Sequence, residues 1–245
     1  FKLSISVSSV LVASGASLAQ PLGGPVAAAI KPNPTDGALG GDPRCLYLRA
    51  GTIDTRDRPS LLTPDAAFNP AKHYVIQLDG PMTPARRSAL AAGGVVLGEY
   101  LPMNAYVVRL DDERAAALSR LDFVAWVGQY EDAWKLAPDI GAQQFVTPER
   151  QQLAAAGKHS LVVALFADAD ADTAAASLSP LGAVAKRIDA APGKPSCEIE
   201  IDATAVESLR GLEQVMFVEE AAEGEPRNAT TTWICQSDVL DATPL

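Results

Sequence analysis

The sequence predicts an α+β protein of two tandem units, each ordered β-α-β-β-α-β, with an antiparallel sheet carrying its helices on one face. Three observations carry this. The succession of periodicities over 72–130 recurs over 158–218. A glycine ends the first helical run in both copies, Gly93-Gly94 in one and Gly182 in the other. An apolar strand closes each copy, Phe123-Val124-Ala125-Trp126-Val127 and then Val215-Met216-Phe217-Val218. Two copies make a pair of small domains and not a solenoid.

In the first unit, Tyr74, Ile76 and Leu78 alternate with Val75, Gln77 and Asp79, as in a strand with one buried face. Thr83-Pro84 opens a helix, with a capping hydroxyl before proline at the first helical position. Ala89, Leu90 and Ala92 form its apolar side, and Gly93-Gly94 ends it. Strands over 95–101 and 105–110 form a hairpin around Pro102-Met103-Asn104. Asp111-Asp112-Glu113 places negative charge on the first turn of a second helix, where the helix dipole favours it. That helix continues through Ala116, Leu118 and Leu121. The second unit repeats the order with strand 158–165, helix 171–181, strands around the turn Ala191-Pro192-Gly193-Lys194-Pro195, and helix 202–212. This is the ferredoxin-like, or split β-α-β, arrangement.

The predicted domain map assigns 1–19 to a signal peptide and 20–70 to a linker with a strand at 45–55 that adds to the edge of the first unit or tucks under it. It assigns 71–138 to the first unit, 139–157 to a connector, 158–222 to the second unit and 223–245 to a tail. Lys2, a short apolar stretch and the small-x-small ending Ser17-Leu18-Ala19 describe the secretory leader, so a secreted, extracellular protein is expected. The connector carries a short helix from Pro148. The 245 residues suffice for two domains of this size, and 48% hydrophobic content allows two modest cores. A formal net charge of −10 argues against a nucleic-acid partner, and no run approaches the length of a membrane span.

Candidate chemistry is sparse. His73 and His159 each follow a lysine at the start of a unit's first strand; matching positions in two repeats point to a structural role. Asp168-Ala169-Asp170-Ala171-Asp172 has calcium-loop alternation but lacks the turn glycine and has Ser179 where the bidentate glutamate belongs. It reads instead as a helix cap, and neither a metal nor a cofactor is expected. Cys45, Cys197 and Cys235 have no metal spacing. Cys197 falls in a strand as a buried thiol, and secretion permits a Cys45–Cys235 bridge. Asn228-Ala229-Thr230 is a glycosylation sequon. Taken alone, Glu219-Glu220 is a solvated strand end.

Val215-Met216-Phe217-Val218-Glu219-Glu220, closing a β-α-β-β-α-β unit after Leu209-Arg210-Gly211-Leu212, resembles the last strand of subtilisin-type propeptides. The first unit, from Gly94 through Tyr100-Leu101-Pro102-Met103-Asn104 to Val108, is similar to the N-terminal prodomain of fervidolysin-like bacterial subtilases. Trp126-Val127-Gly128-Gln129-Tyr130 and Trp134-Lys135-Leu136 fit the same pattern, and Ile234-Cys235-Gln236-Ser237 looks like the junction before a catalytic domain. The family's aspartate, histidine and serine motifs are missing: Asp54-Thr55 is followed by Arg56, and neither histidine has the required neighbours. The chain is therefore expected not to be an enzyme, but the propeptide of a subtilisin-like serine endopeptidase, ending where that domain begins.

The resemblance implies an intramolecular chaperone and product-like inhibitor. The sheet face of the propeptide packs on two surface helices of the peptidase, and carboxylates after the last strand cap their N-termini, where unpaired N–H groups attract anions. Glu219 and Glu220 match those carboxylates, with Phe217 beside them. The following segment lies in the substrate cleft as an added strand. Ala221, Ala222, Glu223, Gly224, Arg227 and Asn228 match that tail, although Pro226 removes a donor such a strand would use. The first unit has Gly128-Gln129-Tyr130 where the second has its glutamates, and is expected to act as an outer, regulatory or binding module. Two alternatives stand beside this: a free-standing secreted inhibitor of subtilisin-type peptidases, and a non-inhibitory extracellular binding module.

Overall fold

The computed structural model describes residues 41–63 and 65–223. The expected leader over 1–19, the part of the expected linker up to residue 40, and the expected tail from Gly224 onward lie outside the described residues. So do Arg227, Asn228, the sequon and Cys235. The described chain opens with a hairpin, β1 (Cys45–Leu48) and β2 (Gly51–Asp54). The first unit follows as β3 (His73–Leu78), α1 (Pro84–Ala92), β4 (Leu97–Leu101), β5 (Ala105–Arg109), α2 (Asp112–Leu118) and β6 (Val124–Gln129). After a connector carrying α3 (Pro148–Ala155), the second unit consists of β7 (Lys158–Leu165), α4 (Ala171–Leu178), β8 (Val184–Asp189) and β9 (Ser196–Asp202). A 3-10 helix, Ala203–Gly211, and β10 (Val215–Glu220) complete it.

Each unit forms a four-stranded antiparallel sheet, ordered β4-β5-β3-β6 and β10-β7-β9-β8. Both orders are the same permutation, with the first and third strands central, so both units are ferredoxin-like. Local chemistry accounts for the elements. The Thr83 hydroxyl accepts from Arg86 N at 3.2 Å before Pro84, starting α1. Asp111 and Asp170 accept from the third residue on, Arg114 N and Thr173 N, both at 2.8 Å, starting α2 and α4. Asp202 instead accepts from the second residue on, Thr204 N at 3.0 Å and Thr204 Oγ1 at 2.6 Å. That tighter Asx turn leads into i→i+3 winding, so the helix predicted over 202–212 is a 3-10 helix. Met103 and Asn104 turn the β4–β5 hairpin with φ of 66° and 58°, the left-handed pair of a tight hairpin turn.

The helices lie on one face of each sheet. Tyr74, Ile76, Leu78, Val108 and Val127 pack with Leu90 and Leu118 in the first unit. Leu161, Val163, Cys197, Ile199 and Val218 pack with Ala174, Leu178 and Leu209 in the second. The other faces differ. In the second sheet β9 alternates between buried and half-exposed residues along its length, as a one-sided sheet should. In the first sheet every residue of β3 is buried. The stretch 45–55 explains this: of the two expected placements, at the edge of the first unit or tucked under it, it takes the second, as a hairpin lying across the open face of the sheet. Leu46, Leu48 and Ile53 pack on Val75, Ala105, Val107 and Trp126. The expectation of one buried face for β3 is thus corrected. Gln77, fully buried on that face, donates to Pro43 O and Met103 O and accepts from the Thr55 hydroxyl.

The units share a core. Trp134, Tyr130, Phe166 and Met216 join the hairpin's cluster, so residues of both units lie in one apolar layer. The segment from Lys135 to Ala137 runs parallel to β10, bridging Leu136 to Val218, with Val218 N donating to Lys135 O at 2.7 Å and Ala137 N to Val218 O at 2.9 Å. Lys135, itself buried, extends Nζ to the carbonyls of Arg210 and Leu212 at the end of the 3-10 helix. Among the described residues no helix is long and apolar enough to cross a membrane.

Candidate functional site

The end of β10 gathers the residues that the sequence singles out. A register shift between Val215 and Phe217 sets the strand's phase. Phe217 and Glu219 then stand opposite Ala164 and Val162 on the open face, and Val218 and Glu220 opposite Val163 and Leu161 on the helix side. The two glutamates therefore do different things. Glu219 is partly exposed and pairs with Arg49, from the turn between β1 and β2, whose guanidinium carbon also lies 5.6 Å from the Phe217 ring centre. The Glu220 side chain is 1% exposed; it accepts from Arg150 Nη2 at 2.8 Å and from Gly141 N at 3.1 Å, and lies 3.3 Å from His159 Nδ1. Its carboxylate is fully engaged within this chain.

The expected tail begins in the same way. Ala221 continues the β10 ladder, donating to Ser160 O at 2.9 Å. Ala222 is exposed. Glu223 accepts from Val146 N, Thr147 N and the Thr147 hydroxyl at 2.9, 3.0 and 2.6 Å, which caps α3. These bonds hold the Glu223 carboxyl below its ordinary range. A carboxylate beyond the last strand does cap a helix N-terminus here, but the helix is the chain's own. Beside β10 a cavity of about 680 Å³ is lined by Arg49, Val162, Phe217, Glu219 and Ala222 among others.

A second cluster, at the junction of the units, was not legible as a cluster in the sequence. His73 stacks on Phe166, with ring centres 3.5 Å apart, and its Nε2 lies 3.0 Å from Asp168 Oδ1. Arg109 pairs with the other carboxylate oxygen of Asp168, and Glu99 accepts from Ala167 N. Burial pushes the His73 pKa down, against the pull of Asp168. Burial acts to raise the Asp168 pKa, but the bonds from Arg109 and His73 prevail and hold it low. Burial raises that of Glu99. A cavity of about 440 Å³ opens over these groups.

The two histidines are not structural equivalents. His73 faces Arg109 on the open side of its sheet, whereas His159 pairs with Ile201 on the helix side. The structural counterpart of His73 is Ser160, so the shared Lys-His pairs are offset by one residue and their side chains reach opposite faces. Of the alternating aspartates, Asp170 is the cap of α4 and Asp168 the partner of His73. Cys197 is fully buried, with burial raising its thiol pKa, and Cys45 lies buried in the hairpin. The proposed partner of Cys45 lies outside the described residues. Among the described residues no group of three or more His, Cys, Asp or Glu side chains could hold a metal ion.

A family described only as a domain of unknown function, DUF8729, matches residues 47–131. That span runs from within β1 to just beyond β6, taking the hairpin and the first sheet together. No curated protein matches the chain. Among solved structures, the small subunit of acetolactate synthase from Thermotoga maritima matches at 16% identity, covering 62% of this chain and 92% of that one. Its TM-score of 0.20 is too low to carry an argument.

Proposed function

We propose that this chain is the propeptide of a subtilisin-like serine endopeptidase, acting as its intramolecular chaperone and product-like inhibitor through the second unit. One observation carries the reading: of two sheets with the same topology, the first has its open face covered by the β1–β2 hairpin, while the second keeps a half-exposed face along β9, with Glu219 at its border and Phe217 already buried beside it. A sheet face of that kind, with a carboxylate at the end of its last strand, suits packing across helices whose N-termini need an acceptor. Glu219 takes that role. Glu220 supports it from the other side of the strand by fixing the strand end through Arg150 and Gly141. Segment 221–223 is pinned to β7 and α3, so in this reading the part that enters a substrate cleft starts no earlier than Gly224. The peptide-cleaving groups belong to the peptidase, and this chain supplies none of them.

The test is to refold a denatured subtilisin-type catalytic domain with and without the purified chain, and to titrate the folded peptidase with it. The expected outcome is faster recovery of activity and inhibition, with Glu219→Ala weakening inhibition about tenfold, as for loss of one charge-assisted bond. No effect on refolding or on hydrolysis would leave the extracellular binding module as the better account.

A further inference from the structure

We infer that the first unit restrains the docking edge of the second through Arg49, so that a partner must displace this side chain to reach Glu219. The inference rests on the reading of β10 as the docking edge. Arg49 sits in the turn joining β1 to β2. The strands on either side are fixed to the first sheet: Leu46 is fully buried, Leu48 and Ile53 nearly so, and all three pack on Val75, Val107 and Trp126. The turn is therefore held by one unit while its side chain acts on the other. The guanidinium pairs with the partly exposed Glu219 carboxylate and lies over the buried Phe217 ring, meeting both residues that β10 turns to the open face at this end. It also forms a wall of the cavity that Phe217 and Glu219 line.

The Arg49 side chain is 69% exposed and that of Glu219 31%, which makes the restraint displaceable. An ion pair between exposed groups and a single cation–π contact at 5.6 Å are each weak. Together they lower affinity for a partner's helix N-terminus by about tenfold, without blocking it. The hairpin thus does more than cover its own sheet. Its tip selects for partners whose N–H groups can replace the guanidinium at Glu219.

Two measurements on the full chain test this. The first needs no partner: carbodiimide labelling of carboxylates with glycine ethyl ester, read by peptide mass spectrometry. Arg49→Ala is expected to raise the labelling rate of Glu219 severalfold while Glu220 and Glu223 stay unchanged; an unchanged Glu219 rate overturns the inference. The second is inhibition of a purified subtilisin catalytic domain. Arg49→Ala is expected to tighten it about tenfold, and to have no effect in a Glu219→Gln background. Weaker or unchanged inhibition by Arg49→Ala makes the hairpin tip an ordinary contact or a bystander, and the inference fails. Absence of inhibition by every variant counts against the proposed function, and the labelling result then decides the restraint alone.

Discussion

Replacing Glu220 by alanine should destabilise the second unit, because its carboxylate is bound within this chain. The carboxylate is 99% hidden from solvent and receives two hydrogen bonds, one from a guanidinium at 2.8 Å and one from a backbone N–H at 3.1 Å. Removing one member of a buried ion pair costs about 3–5 kcal/mol, chiefly because the other charge stays behind without a partner. The Arg150 side chain keeps 14% exposure and lies 4.5 Å from the Phe145 ring centre, so the lower end applies, about 3 kcal/mol. At roughly 4–8 °C per kcal/mol for a domain of this size, the melting temperature falls by about 12–24 °C. Glu220→Gln preserves the shape and one acceptor and should lose roughly half as much. Urea denaturation followed by far-UV circular dichroism measures both variants beside Glu219→Ala, whose exposed pair should leave stability within about 0.5 kcal/mol of wild type. A Glu220→Ala variant as stable as wild type would refute the view that this carboxylate belongs to the chain's own architecture.

Two further outcomes concern the junction of the units. Phe166→Ala removes a ring that is 1% exposed, stacked on His73 and edge-on to Tyr130 at 5.1 Å; it should cost about 3–5 kcal/mol and make the connector between β6 and β7 newly sensitive to limited proteolysis. Acid should loosen the same junction. The folded-state pKa of His73 is depressed by burial, so its contribution is complete above the unfolded value of about 6.5 and is lost as the pH falls through the folded value. Asp168, also depressed, adds a loss of the same sign below about pH 4. Melting temperatures of wild type and His73→Asn between pH 7.5 and 5 check this, and equal slopes for the two would contradict it.

The element order of both units was legible because period-2 and period-3.6 patterns, aspartate and threonine caps and paired turn residues all pointed the same way. What escaped was whatever depends on a neighbour distant in sequence. Val75 and Gln77 look like ordinary residues of an exposed face, and only the hairpin folded over them makes them core. Lys72-His73 and Lys158-His159 look like matched positions, yet strand phase depends on pairing, and a one-residue offset is invisible in the spelling. The glutamate pair after Val218 showed that carboxylates end the strand. It could not show that Arg49 and Arg150, from opposite directions, divide them between two faces. Asp168 could be read as helix punctuation, because its partners His73 and Arg109 lie in the other unit.

The short parallel pairing of Leu136 with Val218 has a consequence for how these two units can be taken apart. A fragment starting at Lys158 would carry every strand of the second sheet and still lack the segment that shields β10. Val218 N and the carbonyls that Lys135 meets would be left without those partners. A bare apolar strand edge of that sort recruits other chains. The seam between the repeats is therefore not where the molecule divides, and a fragment that keeps this edge of β10 paired has to begin no later than Lys135.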